Sequence, residues 1–363
     1  MRVMRPDRVA IALLILALAA GGCGSSSTGT GGNVLGRPYR MGFSGIPPRP
    51  DFPTAVASIQ MWTLRADGAI FHTSPPWDSL LAGVPADTLI RRNEYNLAQY
   101  FHALGLEVVV TLDATDGLNR AADAPQLVAA GRSLTEPAVQ QLYRNYAVAM
   151  DTLLRPSRLG LAAETNLIRA AAPPALYAAV RQVANDAAAD VRAHDPNVRL
   201  YVSLQVEIAW GLLSGGPLSY VGVAQDLADF PFAQEFGLSS YPYLGGFAEP
   251  EDVPADYYAR VHDQVGRNVL MVEGGWASTS VGPVVSSPQK QARWIRREAD
   301  LLSRARAVGW YQLTFADLAL SAFPPQPPGS ILPLFATLGL VDTTLAPKPA
   351  LAPWDSAFAE PKH

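Results

Sequence analysis

Cysteine is nearly absent from this sequence, whose 363 residues include one, Cys23, close to the amino terminus. Beyond Cys23 the chain can therefore form no internal disulfide, and it carries no thiol nucleophile and no thiolate metal ligand. Hydrophobic residues make up 49% of the chain and charged residues 17%, which is the composition of a globular protein with a sizeable core.

Positive charge is also in short supply, with 28 lysines and arginines against 32 acidic residues and a net charge of -4. No basic excess attracts phosphate groups, so we expect no nucleic-acid partner. The five histidines are dispersed, and the sequence lacks the G-x-G-x-x-G, Walker, H-E-x-x-H and G-x-S-x-G motifs. The sequence therefore predicts neither a metal nor a cofactor, and leaves carboxylates and aromatic side chains as the candidate chemistry.

The amino terminus has the pattern of a secretory signal peptide. Three arginines precede the apolar run Val9–Ala20, whose 12 residues are too few for a membrane span of about 20. The segment Ala20-Gly21-Gly22-Cys23 resembles the lipobox of bacterial lipoproteins, in which cleavage leaves an acylated cysteine as the first residue. The alternative is an ordinary small-residue cleavage site with an incidental thiol.

We therefore predict three segments: a lipoprotein signal peptide at 1–22, a Gly/Ser-rich tether at 23–38 and one folded domain at 39–360. Cys23 carries the lipid anchor, typically palmitate, and the tether has the composition of a flexible linker. The predicted location is the cell envelope, with a monomeric domain anchored to a membrane and facing away from the cytoplasm, in the periplasm or on the cell surface.

Short apolar runs alternate with helical patterns through the body of the chain, which is typical of βα units. The eight predicted strands are Tyr39–Phe43, Ala69–Phe71, Glu107–Leu112, Arg158–Ala162, Arg199–Leu204, Glu235–Leu238, Asn268–Val272 and Val308–Leu313. Eight such strands over roughly 320 residues predict an α/β fold of the (β/α)8 TIM-barrel type. A doubly wound open sheet is the alternative, weakened because no Gly-rich phosphate turn follows the first strand.

Three segments between these strands have clear helix signals. One opens at Thr135-Glu136-Pro137, repeats apolar residues every three or four positions and ends near Pro156. Another begins with the cap residue Ser287 followed by proline, and the third, Pro174–His194, is rich in alanine. These helices are expected to cover the outside of the barrel.

Two glutamates directly follow predicted strands: Glu164 comes after the fourth and Glu273 after the seventh. The carboxyl ends of barrel strands form one face, so the two side chains are expected to meet at the mouth of the barrel. A retaining glycosidase needs such a pair about 5 to 5.5 Å apart, one carboxyl to protonate the leaving oxygen and one to attack the anomeric carbon.

Several segments resemble clan A of the (β/α)8-barrel glycoside hydrolases. Val272–Ser278, with its Glu-Gly-Gly-Trp, looks like the nucleophile strand of that clan, and Gly237–Tyr243 resembles the sixth strand of its endo-β-1,4-galactanase branch. Ala69–His72 with Pro75–Trp77 is similar to the loop after the second strand in galactanase-like proteins, and Gly309-Trp310 to the eighth strand.

The resemblance implies a glycoside hydrolase that retains configuration at β-linked glycans, with Glu164 as acid/base and Glu273 as nucleophile. Its substrate is expected to be an oligo- or polysaccharide. One position departs from the pattern, because the clan usually has asparagine before its acid/base and this chain has Ala163. That asparagine bonds the substrate 2-hydroxyl, so either Asn166 or another polar group replaces it, or activity is reduced or absent.

Further residues at or near strand ends are candidates for substrate contact, since aromatic faces suit sugar rings and polar groups suit their hydroxyls. They are His72, Trp77, Asp113, Asn166, Gln205, Glu207, Tyr241, Tyr243, Trp276 and Trp310. For each aromatic residue, packing in the core is an equally good interpretation, and Glu207 is a rival for the acid role. A non-catalytic carbohydrate-binding lipoprotein is the second functional hypothesis, and an envelope protein that uses the barrel as a scaffold is the third.

Overall fold

A computed structural model describes residues 36–213 and 220–363. The predicted signal peptide, Cys23 and the tether up to residue 35 lie outside these described residues. Within them, no helix is both long enough and apolar enough to cross a membrane.

Eight parallel strands close into a barrel in the order β1-β10-β9-β8-β7-β6-β3-β2. Their bounds are β1 Arg40–Ser44, β2 Gly68–Thr73, β3 Glu107–Leu112, β6 Arg158–Gly160, β7 Arg199–Gln205, β8 Glu235–Ser240, β9 Asn268–Gly274 and β10 Gly309–Gln312. All eight predicted strands are present, each within two residues of its predicted bounds. The (β/α)8 barrel is confirmed, and the open-sheet alternative is wrong.

Helices surround the barrel and connect its strands. They are α1 Phe52–Trp62, α2 Trp77–Leu81, α3 Ala86–Asn93, α4 Tyr95–Ala103, α5 Pro125–Ala129, α6 Pro137–Leu154, α7 Thr165–Ala171, α8 Pro174–His194, α9 Val206–Ala209, α10 Ala224–Asp229, α11 Ala259–Val265, α12 Pro288–Arg304 and α13 Leu351–Phe358. The three predicted helices are α6, α8 and α12. The Ser287 hydroxyl caps α12 by accepting the backbone N–H of Lys290 at 3.2 Å, as the cap signal predicted.

A small hairpin follows β3 and is not part of the barrel. Its strands, β4 Thr115–Asp116 and β5 Asn119–Asp123, pair antiparallel around a two-residue turn. The sequence analysis missed it because both strands are short and polar. The dipeptide Asp116-Gly117 is a turn signal that could have indicated a reversal of the chain here.

The barrel interior is filled by side chains that point inward from alternate strand positions. They are Ile70, Val109, Tyr201, Leu270, Val272 and Tyr311, all fully buried. The phenol of Tyr201 donates to the backbone oxygen of Val110 at 2.9 Å and lies 2.6 Å from the Thr111 hydroxyl oxygen, so its ring is fixed in place. This filled interior forms the base on which the carboxyl-end face of the barrel rests.

Gly160 is required by this packing, which makes it a test of the barrel interior. A Cβ at this position would lie 2.6 Å from two ring carbons of Tyr201. Gly160→Ala should therefore lower the free energy of unfolding by about 1 to 3 kcal/mol, measured by urea denaturation. Gly45→Ala is the matched control, since its Cβ would meet Leu97 at an ordinary 3.5 Å. Equal stability of the two variants would contradict this description of the interior.

Candidate active site

Glu164 lies at the carboxyl end of β6 in an unusual backbone conformation. Its φ of 47° and ψ of 50° place it in the left-handed region, directly before α7 begins at Thr165. A non-glycine residue pays about 1 kcal/mol or more for this conformation, and such strain clusters at functional sites. The backbone N–H of Glu164 donates to the Ser203 hydroxyl at 2.8 Å, which holds the strained residue against β7.

Glu273 reaches the same face because of an irregularity between β8 and β9. Leu238 pairs with Met271, but the next residue, Ser239, pairs with Glu273, so Val272 is an extra residue on β9. Such a bulge changes the side to which the following side chain points. Val272 packs inside the barrel, and Glu273 can follow it on the cavity side rather than turning outward.

The hydroxyl of Ser239 lies between the two glutamates. Its Oγ is 2.7 Å from Oε1 of Glu164 and 3.1 Å from Oε1 of Glu273. The two carboxylate oxygens are therefore less than about 6 Å apart, since their separation cannot exceed the sum of these distances. Ser239 was not among the predicted site residues, although it lies in the Gly237–Tyr243 segment that carries part of the resemblance.

Arg120, on strand β5 of the hairpin, binds two of the acidic side chains. Its Nε donates to Oε2 of Glu164 at 2.8 Å, and its Nη1 donates to Oδ2 of Asp113. The side chain of Arg120 is 7% exposed, so the ion pairs are buried. Sequence reasoning missed Arg120 because the hairpin that positions it was not predicted.

Two further side chains surround Glu273. The phenol of Tyr241 donates to its Oε1 at 3.0 Å. His72 lies with Nε2 2.9 Å from the backbone oxygen of Val272, and this contact requires a proton on Nε2. Burial lowers the pKa of His72 to about 4, so the ring is neutral at pH 7 and its Nδ1, 3.8 Å from Oε2 of Glu273, carries no proton.

Burial raises the pKa of Glu164 and of Glu273, because a low-dielectric environment disfavours the charged carboxylate. The positive charge of Arg120 opposes the rise at both residues, while the charge of Glu273 adds to it at Glu164. A pair of carboxyls this close releases its two protons in coupled steps. The arrangement therefore favours one shared proton over two full negative charges.

These groups form the floor of a cavity of about 480 Å³, within the range of small-molecule sites. Six of the predicted site residues line it: His72, Asp113, Glu164, Gln205, Tyr241 and Glu273. Ala163, which stands where the clan usually has asparagine, lines it as well. Among the described residues, no group of three or more His, Cys, Asp or Glu side chains could hold a metal ion.

Four predicted aromatic residues do not line the cavity, which corrects the expectation of substrate contact for them. Trp77 stacks on Tyr143 in the core with ring centroids 6.3 Å apart. Trp276 packs on Trp294, and Trp310 packs on Trp354. Tyr243 is also buried and donates its phenol proton to the backbone oxygen of Leu334 at 2.9 Å. For these residues the core-packing interpretation was right.

Asn166 and Glu207 are also buried away from the cavity. The side chain of Asn166 bonds both the N–H and the oxygen of the Gln205 backbone, at 2.8 and 2.9 Å, and so ties α7 to the end of β7. Glu207 accepts the hydroxyls of Ser240 and Tyr257 at 2.7 and 3.1 Å and is fully buried. Asn166 therefore cannot replace the missing asparagine at 163, and Glu207 is not placed to act as the acid.

No family model matches the sequence, and no curated protein matches it either. Solved structures match the fold. An exo-β-1,4-mannosidase from Opitutaceae bacterium strain TAV5 is 15% identical, with a TM-score of 0.63 over 89% of this chain and 59% of that one. The GH53 catalytic domain of Ignisphaera aggregans is 14% identical, with a TM-score of 0.57 over 88% of this chain and 91% of that one.

A family 39 glycoside hydrolase from Bacteroides cellulosilyticus WH2 is 16% identical, with a TM-score of 0.57 over 89% of this chain and 64% of that one. The chain spans about half the length of several β-glucuronidases that it also matches. The structural neighbours are thus glycoside hydrolases built on an eight-stranded (β/α)8 barrel. At these identities the likeness establishes the fold.

The buried ion pairs of Arg120 make a prediction about stability. Arg120→Met leaves Asp113 and Glu164 without their countercharge, and breaking a buried pair in this way costs about 3 to 5 kcal/mol at pH 7. Without Arg120 the pKa of Glu164 in the folded variant rises further above the ordinary pKa of glutamate. At pH values between these two pKa values, the folded variant binds more protons than its unfolded chain. The loss should therefore shrink as the pH falls from 7 to 5.

Urea denaturation of the wild type and the variant at both pH values measures this effect. Arg293→Met is the control, because Arg293 forms exposed pairs with Glu249 and Glu251 and its removal should cost no more than about 1 kcal/mol. A loss in Arg120→Met as small as in the control, or one that does not change with pH, would contradict the role of Arg120.

Proposed function

We propose that this protein is a retaining glycoside hydrolase of β-linked glycans, with Glu164 as acid/base and Glu273 as nucleophile. The observation that carries the proposal is the position of Ser239 between the two carboxylates, which limits their separation to less than about 6 Å. Inverting enzymes keep their carboxyls about 6.5 to 9.5 Å apart to admit a water, so this spacing supports retention.

The proposed reaction has two steps. In the first, Glu273 attacks the anomeric carbon, the bond to the leaving oxygen breaks, and Glu164 gives that oxygen its proton. In the second, Glu164 takes a proton from water, which attacks the same carbon and releases Glu273. Tyr241 donates to Glu273 and would hold the attacking carboxylate in position through both steps.

The hydroxyl of Ser239 can connect the two carboxyls when they share a single proton. A hydroxyl has one proton to donate, so it cannot donate to two carboxylates at once. If Glu164 keeps the shared proton, Glu164 donates to Ser239 and Ser239 donates to Glu273. In this arrangement of hydrogen bonds Glu164 is protonated and Glu273 is charged, which are the states that the first step needs.

Arg120 offers a replacement for the amide that Ala163 lacks. Its Nε and Nη1 bind Glu164, Asp113 and Thr115, whereas no acceptor for its Nη2 is found among the residues that the structure describes. Arg120 lines the cavity beside Ala163, so this nitrogen could donate to a sugar hydroxyl. A charged donor forms a stronger hydrogen bond than the neutral amide it replaces.

The galactanase branch belongs to this proposal as well. It is supported by the sixth-strand segment, where Ser239 and Tyr241 both contact Glu273. A non-catalytic carbohydrate-binding protein is the second candidate. It is favoured by the Arg120 to Glu164 ion pair, because a guanidinium stabilises the charged carboxylate while a general acid needs its proton.

Substitution of each glutamate separates these two functions. Glu273→Gln should abolish hydrolysis of every β-glycoside, because no nucleophile remains. Glu164→Gln should lower the rate of hydrolysis about 100-fold to 10,000-fold for substrates with poor leaving groups. Aryl glycosides with good leaving groups should still form the glycosyl-enzyme, and azide should restore its breakdown. Initial rates on a panel of aryl and alkyl β-glycosides measure both effects.

Glu251→Gln is the control, since this exposed carboxylate pairs with Arg293 away from the cavity. Wild-type rates in both Glu164→Gln and Glu273→Gln would show that the reaction occurs elsewhere. Sugar binding by the wild type with no turnover of any glycoside would favour the binding protein instead.

We also propose that the protein is a lipoprotein of the cell envelope, anchored through Cys23. The signal-like segment and the lipobox-like Ala20–Cys23 support this. Cys23→Ser should move the protein from the membrane fraction to the soluble or precursor fraction, because acyl chains supply the membrane affinity. Fractionation followed by immunoblotting measures the shift. Membrane association that survives the substitution would contradict the proposed anchor.

A further inference from the structure

Three leucines line the cavity on the side of Glu164. Leu118 lies in the turn of the hairpin after β3, Leu167 lies on α7 after β6, and Leu213 follows α9 after β7. The strands β3, β6 and β7 are neighbours in the barrel, so these three residues, here called the leucine wall, lie on one side of the cavity, and Asn119 lines it beside Leu118. Leu118 and Leu213 are each 38% exposed, which places them at the mouth rather than the floor.

The cavity has few of the aromatic platforms that hold chains of sugars. All seven tryptophans of the sequence are buried, and none of them lines the cavity. The aromatic residues that do line it are Tyr241, whose phenol is committed to Glu273, and Phe335. Polar side chains are concentrated on the floor instead, where one sugar ring could meet His72, Arg120 and Gln205.

The position of the leucine wall determines what it contacts. The acid protonates the leaving oxygen, so the leaving group must extend from Glu164. Leu118 is two residues from Arg120, which binds Glu164, and Leu167 is three residues beyond Glu164 on the same chain. Glu164 follows β6, which lies between β3 and β7, so a leaving group on this side of the barrel enters the part of the cavity that the leucine wall lines.

We infer that the leaving group of the substrate is an apolar chain or ring, so that the substrate is a single sugar joined to an alkyl or aryl alcohol rather than to another sugar. A second sugar against the leucine wall would place hydroxyls beside three side chains that can neither donate nor accept a hydrogen bond, with Asn119 as the polar side chain next to them. An apolar group there gains by leaving water.

This inference rests on the retaining hydrolase of the proposed function and changes its substrate, since a single sugar on an apolar alcohol takes the place of the polysaccharide that the galactanase branch implies. The reaction balances as hydrolysis: the bond from the anomeric carbon to the leaving oxygen breaks, Glu164 supplies the proton that makes the free alcohol, and water provides the hydroxyl that the sugar gains. Hydrolysis needs no further reactant.

A substrate series tests the inference directly. The β-glucoside, β-galactoside and β-mannoside would each be assayed as the methyl glycoside, the hexyl glycoside and the β-1,4-linked disaccharide. On the sugar that is accepted, kcat/KM for the hexyl glycoside should exceed that for the methyl glycoside by about tenfold or more, because five added methylene groups are removed from water. It should also exceed kcat/KM for the disaccharide.

Variants of the leucine wall connect this preference to the structure. Leu118→Ser and Leu213→Ser should each lower the ratio of hexyl to methyl kcat/KM several-fold, because they place a hydroxyl where the chain would lie. Leu104→Ser is the matched control, since Leu104 is an exposed leucine that does not line the cavity, and its ratio should equal that of the wild type. Equal ratios in all four proteins would overturn the role of the wall.

A membrane glycolipid and a soluble glycoside would offer the same apolar chemistry. A monoglycosyl diacylglycerol in phosphatidylcholine vesicles, assayed beside the dissolved hexyl glycoside, distinguishes these two sources. Cleavage of either one in preference to the disaccharide supports the inference.

The failure of this inference can be told apart from the failure of the proposed function. If aryl glycosides are hydrolysed and Glu273→Gln abolishes that activity, but the disaccharide is the better substrate, the inference is overturned and the hydrolase stands. If no glycoside is hydrolysed, the proposed hydrolase is overturned. Calorimetric measurement of the affinities for the hexyl and the methyl glycoside then tests whether the leucine wall binds an apolar group. Binding that does not prefer the hexyl glycoside overturns the inference.

Discussion

The ion pair between Arg120 and Glu164 is the interaction on which the rest of the cavity floor depends. Asp113, Glu164 and Glu273 converge on one small volume, where their mutual repulsion is stronger than in bulk water because the side chains are largely buried. Arg120 binds two of them directly, and its charge also acts on the third. With that charge present, the remaining negative charge is small enough for the carboxyls to be held close together by neutral hydroxyl groups.

The neutral groups then set the geometry. Ser239 fixes the separation of the two glutamates, and it can do so because the bulge at Val272 brings Glu273 opposite it in register. The same bulge leaves Val272 inside the barrel, against the buried cluster that contains Tyr201. The position of Glu273 is therefore determined by the packing of the interior, and the position of Glu164 by the strained backbone that Ser203 holds.

Much of this could be predicted from the sequence. The eight strands are short, largely buried segments rich in apolar residues, so their bounds were visible in the sequence. The two glutamates were found because a barrel places its site after its strands. Arg120 could not be found in this way, since it lies on a polar hairpin with no periodic pattern. The tryptophans misled because a strand end has a cavity side and a core side: Trp276, two residues past the end of β9, packs on Trp294 and does not line the cavity.

The hairpin that carries Arg120 has a consequence for how such a site can change. The barrel closes through its eight parallel strands, and β4 and β5 pair with each other rather than with any of them. The element that contributes the countercharge is thus separate from the element that folds the scaffold. Sequence changes within this hairpin could alter the pKa values of the cavity carboxyls while the eight strands still close the barrel. The hairpin is therefore a segment that evolution or protein engineering could vary separately from the barrel.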